Sequence, residues 1–309
     1  MTVTVLVPSS LTREARDKRE ATRKLGYVAR AATVFRVDRL VVYPDSEGER
    51  RRDGGFVRTV LAYAATPPYL RKEVWGRRNE LEYVGVLPPL RAVAQTGSGS
   101  NDSGSLRQGI VTEVGSDGRV RVNCGLQHPL SLVVPPNMSV DERERVTIRI
   151  SSRRPLRARI VNNPLPGMSV ERAELDTVLK RPDAGFRIAS SRYGEVLSIS
   201  LLRTLRQQLT DDGAGVTSTS TSTDTDTDAA EGKGDSAYTV AFGAPERGLP
   251  EILDVDPDAV GARDDTSDDG PKPDRSRFDL WLNTVPNQGS KTVRTEEAMF
   301  ATLACLNLE

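Results

Sequence analysis

Three glycine-containing loops are the clearest candidates for chemistry in this sequence. Each follows a short apolar run typical of a sheet strand, and the loops are 190–194 (SSRYG), 243–249 (GAPERGL) and 283–290 (NTVPNQGS). In open α/β sheets, ligands bind beyond the carboxyl ends of the strands. Glycine there permits a close approach of the backbone to a ligand, or a positive φ. A single loop of this kind could be an ordinary turn, but three at neighbouring strand ends indicate a ligand pocket.

Two familiar kinds of site are excluded by residue type and spacing. None of the three loops matches GxGxxG or GxxxxGK[ST], so a nucleotide pyrophosphate is not indicated. The chain has two cysteines, Cys124 and Cys305, and one histidine, His128. Three such residues are too few for a four-ligand Cys/His zinc site, and two cysteines do not form a disulfide framework. We therefore expect no metal. Cys124 lies in a strand-like run and is expected in a core.

A basic stretch at 149–159 (RISSRRPLRAR) could bind a polyanion. Residues 106–160 hold ten arginines and five acidic residues, a net charge of +5, although the whole chain is neutral. Clustered positive charge favours phosphate binding, and an ordinary solvated surface is the alternative. Because residues 84–185 contain no aromatic side chain, contacts to phosphates are expected rather than base stacking. The candidate residues are Arg149, Arg153, Arg154, Arg157 and Arg159.

The elements around the glycine loops have an α/β pattern. A strand-like TVTVLVP, a predicted helix over 12–35 and a strand-like RLVVYPD form a βαβ unit, which indicates a parallel sheet. The same pattern returns after residue 165, with strands in FRIASS, YTVAFG and FDLWLNTVP. Helices are predicted over 194–209 and 295–308, the latter with Thr295 as its N-cap.

The middle of the chain has a different pattern. After a flexible linker at 97–105, five short alternating runs separated by turn signals predict a small antiparallel barrel of OB type, although another five-stranded module would also fit. Residues 1–94 and 166–309 would then form one discontinuous domain, from which an inserted module, 95–165, stands out. The acidic segments 211–235 and 254–274 are expected to be disordered loops.

No stretch approaches the roughly 18 apolar residues of a membrane span. The N-terminal run indicates a strand rather than a signal peptide. We therefore expect a cytoplasmic protein without a membrane partner.

The C-terminal sequence NTVPNQGSKTVRTEEAMFATLACL resembles a motif of the SPOUT (α/β-knot) methyltransferases, whose chain is threaded through a trefoil knot before its final helix. FGAPERGL, RAATVFRVDRLVVYPD and YLRKEVWGRRNELEYVGVLPPLRA resemble the archaeal and eukaryotic group of that class, which carries an inserted OB-like domain. The resemblance covers most of the chain outside the acidic segments. It implies an RNA methyltransferase that uses S-adenosyl-L-methionine (SAM) and forms a homodimer through the knot face.

The resemblance also implies that SAM is bound by the knot loops, mostly through backbone groups, with Leu249 and Val285 flanking the adenine. The other residues at matching positions are Arg192, Gly194, Gly243, Gly248, Asn283, Gly289 and Thr292.

Residues 25–32 (LGYVARAA) resemble the first motif of the SpoU-type branch, in which an arginine lies near the target nucleotide. Gly26 and Arg30 match, whereas Lys24 replaces the motif's asparagine, and Glu246 sits one place later than the glutamate of the second motif. Methylation of a uridine nitrogen requires deprotonation, and Arg30 or Lys291 could stabilise the resulting anion. A solvated helix residue or a phosphate contact is the alternative for Arg30.

Three functions remain open from the sequence. The first is an RNA methyltransferase, for which the resemblance favours ribosomal RNA of the large subunit over transfer RNA, and a uridine over other bases. The second is a non-catalytic RNA-binding or ribosome-assembly factor on a knotted scaffold, which SAM affinity would distinguish. The third is a small-molecule methyltransferase, in which the basic insert would have no purpose.

Overall fold

The polypeptide builds one parallel and one antiparallel sheet. The computed structural model describes residues 2–49, 54–92, 105–211, 237–260 and 277–307. The strands are β1 (Thr2–Pro8), β2 (Arg39–Tyr43), β3 (Ser105–Val114), β4 (Arg119–Asn123), β5 (Leu130–Val133), β6 (Arg145–Arg153), β7 (Leu156–Val161), β8 (Ser169–Arg172), β9 (Phe186–Val196), β10 (Ala237–Ala241) and β11 (Leu280–Asn283). The helices are α1 (Lys18–Val34), α2 (Gly54–Ala65), α3 (Arg71–Trp75), α4 (Leu175–Leu179), α5 (Ile199–Asp211), α6 (Leu249–Ile252), α7 (Pro257–Val260) and α8 (Thr295–Leu306).

The parallel sheet has the strand order β11-β9-β10-β1-β2-β8. Alternate residues of a strand point to opposite faces of the sheet, and other elements pack on both faces here. Val3, Val5 and Val7 share a core with α1, α2 and α8, whereas Leu6 packs with Tyr43 on the other face. The predicted mixed α/β architecture with a parallel sheet is confirmed.

The antiparallel sheet has the order β5-β4-β3-β6-β7. Its five strands coincide with the five alternating runs of the sequence. β5 approaches β7, so the sheet curls towards a barrel around Ile148, Val122 and Cys124. Cys124 is fully buried there, which confirms its predicted place in a core.

The antiparallel module is packed against the segment that follows α2. The Tyr69 hydroxyl donates to the Gln108 carbonyl at 3.0 Å, and the Tyr69 ring covers Gly125, which has a φ of 74°. Asn123 Nδ2 donates to Glu73 Oε1 at 2.7 Å. The module therefore packs on residues 67–75. The sequence led us to expect instead that it stands away from the parallel-sheet domain.

Several boundaries differ from the sequence predictions. Helix α1 begins at Lys18 rather than near residue 12, because the Asp17 carboxylate accepts a hydrogen bond from Glu20 N at 2.7 Å and caps it. The predicted linker 97–105 and acidic segments 211–235 and 254–274 lie largely outside the described residues. Within the described part of the chain, no helix is long and apolar enough to cross a membrane.

The prediction that Thr295 is the N-cap of α8 is wrong. The capping position is occupied by Arg294, whose backbone N–H donates to Glu297 Oε2 at 2.9 Å. The Thr295 hydroxyl donates instead to the Gly243 carbonyl at 2.9 Å. The start of α8 is thus tied to the loop after β10.

Candidate cofactor and RNA site

The three glycine loops lie at one edge of the parallel sheet, where the carboxyl ends of β9, β10 and β11 meet. The first loop is an excursion within β9. Ala189 pairs with Trp281 and Glu195 pairs with the next residue, Leu282, so 190–194 have no partner on β11. Asn283 Nδ2 donates to the Arg192 carbonyl at 2.8 Å and joins the first loop to the third.

Helix α8 forms hydrogen bonds with residues of the same three loops. The buried hydroxyl of Thr302 lies 2.9 Å from Thr284 Oγ1 and 3.3 Å from Ser190 Oγ. Together with the contact between Thr295 and Gly243, these hydrogen bonds link all three loops to one helix. The predicted residues Arg192, Gly243 and Asn283 are therefore brought together.

Two of the glycines are required by close packing of the protein on itself. A Cβ added to Gly194 would lie 2.6 Å from Leu282 N, and one added to Gly243 would lie 2.7 Å from Leu249 N. Gly248 and Gly289 differ, since a Cβ at Gly248 would meet only ordinary contacts and one at Gly289 would meet open space. None of these four has a positive φ, so of the two uses of glycine considered from the sequence, a left-handed backbone does not apply here.

The left-handed residue of the second loop is Glu246. Residues 244–247 form a turn in which Ala244 N donates to Arg247 O at 2.9 Å and Arg247 N donates to Ala244 O at 3.1 Å. Pro245 occupies the second turn position, and Glu246 follows it with a φ of 60°. A type II turn requires a positive φ at this third position, which normally favours glycine or asparagine. The exposed Glu246 is therefore held in a strained conformation.

Arg247 links the second loop to the end of β2. Its Nε donates to Asp45 Oδ1 at 3.1 Å, and its Nη groups bind Glu47 and Glu251, both at 2.9 Å. Burial alone would lower the pKa of Arg247, but the hydrogen bonds to these carboxylates raise it above its ordinary value. Asp45 in turn accepts a hydrogen bond from Ser10. Sequence reasoning missed this network, although Asp45 is the last residue of the strand-like run RLVVYPD.

The third loop is shaped by short-range polar contacts. Val285 N donates to Asn283 Oδ1 at 3.0 Å, and Ser290 Oγ donates to the Thr292 carbonyl at 2.9 Å. Val285 and Thr292 are half-buried. Leu249 is different, because it is 1% exposed and packs in the core with Leu6. The expectation that Leu249 flanks an adenine is therefore not supported by its position.

The two residues expected to stabilise an anion lie in different surroundings. Lys291 is exposed in the third loop. Arg30 lies on α1, and its Nη1 donates to the Leu90 carbonyl at 2.6 Å. That contact anchors the segment after α3, which also packs on Gly26. These hydrogen bonds of Arg30 thus join it to residues 89–90 and not to the three loops.

The basic stretch of the antiparallel module is only partly available to a ligand. Arg154, Arg157 and Arg159 are exposed around the turn between β6 and β7. Arg149 is 8% exposed and is held within the sheet, so its predicted role in phosphate binding is not supported. The side chain of Arg153 lies outside the described part of the structure. No group of three His, Cys, Asp or Glu residues suited to a metal ion occurs within the described ranges.

Comparison with known proteins identifies the family. A family model described as "Putative RNA methyltransferase" matches residues 2–306. The chain belongs to this RNA methyltransferase family. The methyltransferase is 64% identical to an uncharacterized protein of Haloarcula marismortui, over 100% of this chain and 99% of the relative. It is 26% identical to the 28S rRNA (uridine-N(3))-methyltransferases of Mus musculus and Homo sapiens, over 99% of this chain and 76% and 77% of those proteins. The predicted resemblance to RNA methyltransferases is confirmed.

Proposed function

We propose that this methyltransferase uses SAM to methylate a uridine of large-subunit ribosomal RNA, and that it belongs to the SPOUT (α/β-knot) class. The observation that carries the proposal is the convergence of three loops at the carboxyl edge of the sheet, within a chain matched by the family over almost its whole length. The relatives that act on uridine N3 of 28S rRNA favour the same substrate class here.

The residues at the sheet edge fit a nucleoside cofactor. Gly289 leaves open space at the surface of the third loop, Gly248 has room for ordinary contacts, and Val285 offers a partly exposed apolar side chain. Arg192, Gly194, Gly243, Asn283 and Thr292 would complete a cradle built largely from backbone groups. When bound, SAM supplies an electrophilic methyl group, so the protein must chiefly hold it in line with the acceptor.

A knotted arrangement is supported by two contacts. Gly194 packs against the backbone of β11, and Thr295 brings the chain after β11 back to the second loop. In this class the same face forms a homodimer, which we adopt as part of the proposal. A cytoplasmic location follows from an RNA substrate and is proposed with it.

The acceptor uridine must lose its N3 proton before methyl transfer. A cation near the base lowers the energy of the resulting anion, and the exposed Lys291 in the third loop is the better placed of the two sequence candidates. Arg30 would act only if RNA binding drew it away from the Leu90 carbonyl. We therefore assign electrostatic stabilisation of the anion to Lys291.

The antiparallel module, as an OB-like domain, is proposed to hold the RNA backbone. Its exposed Arg154, Arg157 and Arg159 can bind phosphates, and the seat on Tyr69 and Glu73 fixes the module beside the methyltransferase domain. RNA would then contact both parts of the chain.

Calorimetry with SAM and transfer of a labelled methyl group to ribosomal RNA test the proposal together. Wild-type protein should bind one SAM per chain and label RNA, and Gly243→Leu should lose both because its side chain collides with the backbone of Leu249. If Gly243→Leu folds and its SAM affinity is unchanged, SAM does not bind at this edge of the sheet.

A further inference from the structure

Four charged side chains meet where the segment after β1, α1 and the start of α8 come together. This charge cluster consists of Glu14, Lys24, Arg294 and Glu296. Lys24 is 3% exposed, and its Nζ forms an ion pair with Glu14 Oε1. The same oxygen lies 3.3 Å from Arg294 Nε. Glu296 is 6% exposed, and its Oε2 has no hydrogen-bond partner in the part of the chain that the structure describes.

Electrostatics couple the members of the cluster. Burial lowers the pKa of Lys24, and the attraction of Glu296 opposes that effect. Burial also raises the pKa of Glu296. Lys24 and Arg294 share the Glu14 carboxylate, and the Glu297 carboxylate accepts a hydrogen bond from Arg294 N at 2.9 Å. An anion would therefore be recognised here by the N–H donors of the Arg294 side chain and not by a net positive charge.

Arg294 differs from the other members because 47% of its side chain is exposed. Glu14 contacts its Nε, and neither terminal Nη group is in an ion pair within the described residues. These groups present parallel N–H donors that match the two oxygens of a carboxylate or a phosphate. A guanidinium already held at Nε loses less conformational freedom when it binds.

Arg294 lies next to the candidate site along the chain. It follows the third loop, two residues after Thr292, and precedes Thr295, whose hydroxyl contacts the Gly243 carbonyl of the second loop. We propose that Arg294 binds an anionic group of the ligand in this site and that Glu14 is the positioning residue that orients it. This inference rests on the proposed function, and the anion is either the carboxylate of SAM or a phosphate of the RNA.

Binding measurements on Arg294→Gln separate these two sources. S-adenosylhomocysteine carries the carboxylate and 5′-methylthioadenosine lacks it. If Arg294 binds the carboxylate, affinity for the first should fall roughly 10- to 100-fold and affinity for the second should not change. If it binds phosphate, RNA affinity should fall and its salt slope should decrease by about one, with both nucleosides unaffected.

Unchanged affinity for all three ligands would overturn the proposal. That result differs from failure of the proposed function, in which wild-type protein binds neither nucleoside nor RNA. Arg181→Gln is a matched control, because Arg181 is also a partly exposed arginine, paired with Glu171 of the edge strand β8, far from β11 in the sheet order. It should leave all three affinities unchanged.

Glu14→Asp tests the positioning role while a carboxylate stays near Lys24. The shorter side chain withdraws the shared oxygen from both Lys24 and Arg294, so the same ligand should bind more weakly, and the urea midpoint measures the stability lost at Lys24. In the double variant Glu14→Asp/Arg294→Gln, affinity should be no lower than in Arg294→Gln alone. Losses that add would show that Glu14 acts independently of Arg294 and would contradict the assignment.

Discussion

At the scale of single residues, the glycines of the candidate site divide into two kinds. Gly194 and Gly243 stand where a Cβ would collide with protein backbone, whereas Gly289 faces open space. The first pair makes the loops fit each other, and the second kind leaves room at the surface. Sequence alone shows three glycine loops but not which glycine serves which purpose.

This division predicts different effects on stability for the same substitution. Gly243→Ala should lower the free energy of unfolding by about 1–3 kcal/mol, because its Cβ would lie 2.7 Å from Leu249 N. Gly289→Ala should change it by less than about 0.5 kcal/mol. Urea denaturation of both variants measures the difference, and equal midpoints would contradict the packing described for Gly243.

Glu246 provides a second prediction at this scale. Its φ of 60° costs free energy in any residue with a Cβ, so Glu246→Gly should stabilise the protein by roughly 0.5–1 kcal/mol. Glu246→Ala should give no such gain, because alanine has the same strain. Thermal and urea unfolding of the two variants compare these cases. Destabilisation by glycine would mean that the carboxylate makes a favourable interaction that outweighs the strain.

At the scale of elements, the sequence predicts most strands and several helices, because their apolar periods are long and regular. The five strands of the inserted module and the βαβ unit at the N-terminus are examples. The excursion at 190–194 was predicted as a loop after a strand, but β9 resumes beyond it against β11. Such a return depends on a partner almost 90 residues later in the chain, so local patterns do not contain it.

Burial of charged residues is equally hard to predict. Lys24 lies on α1 among residues that could equally face solvent, yet it is 3% exposed, paired with Glu14 and near Glu296 of α8. Arg149 resembles its exposed neighbours in the basic stretch, yet it is 8% exposed. Both outcomes are decided by segments distant in sequence. The candidate site was therefore located from sequence, whereas the contacts of its charged residues were not.

At the end of the parallel sheet away from the glycine loops, an ion pair joins the start of β9 to the residue before β11, and its contribution to stability depends on pH. Arg187, at the start of β9, binds both oxygens of Asp279 at 2.6 and 2.9 Å. Burial opposes ionisation of Asp279, but these hydrogen bonds outweigh it and lower the pKa of Asp279 below its ordinary value. A depressed pKa adds stability above the unfolded-state value of about 3.9, and that stability is lost as pH falls through the lower folded-state value.

The prediction concerns Asp279→Asn. It should be less stable than wild type at neutral pH, and the difference should shrink as pH falls below about 4. Urea midpoints measured from about pH 7 to about pH 3 provide the comparison. A difference that is independent of pH would show that the charge of Asp279 does not contribute.

At the scale of the whole molecule, the inserted module is proposed to add a second surface for RNA. Its seat on Tyr69 and Glu73 holds the exposed arginines in a fixed relation to the parallel sheet. A long RNA could then contact the module while its target base enters the site between the glycine loops. Affinity and catalysis would be divided between the two parts.

Replacing Arg154, Arg157 and Arg159 by alanine tests this division. RNA binding should weaken at low salt, and the salt slope should decrease by roughly one unit or slightly less for every phosphate that the protein no longer neutralises. SAM affinity should not change, because these residues lie outside the glycine loops. RNA titrations over a salt series and SAM calorimetry on the same protein provide both readouts. An unaltered slope would assign phosphate binding to another surface.

Nucleoside mass spectrometry of large-subunit ribosomal RNA from a deletion strain tests the central claim most directly. A methylated uridine present in the parent strain should be absent from the deletion strain. It should return with the wild-type gene but not with Gly243→Leu, whose side chain would collide with the backbone of Leu249 in the proposed pocket. An unchanged set of methylated nucleosides in the deletion strain would contradict the assignment of this methyltransferase to a uridine of large-subunit ribosomal RNA.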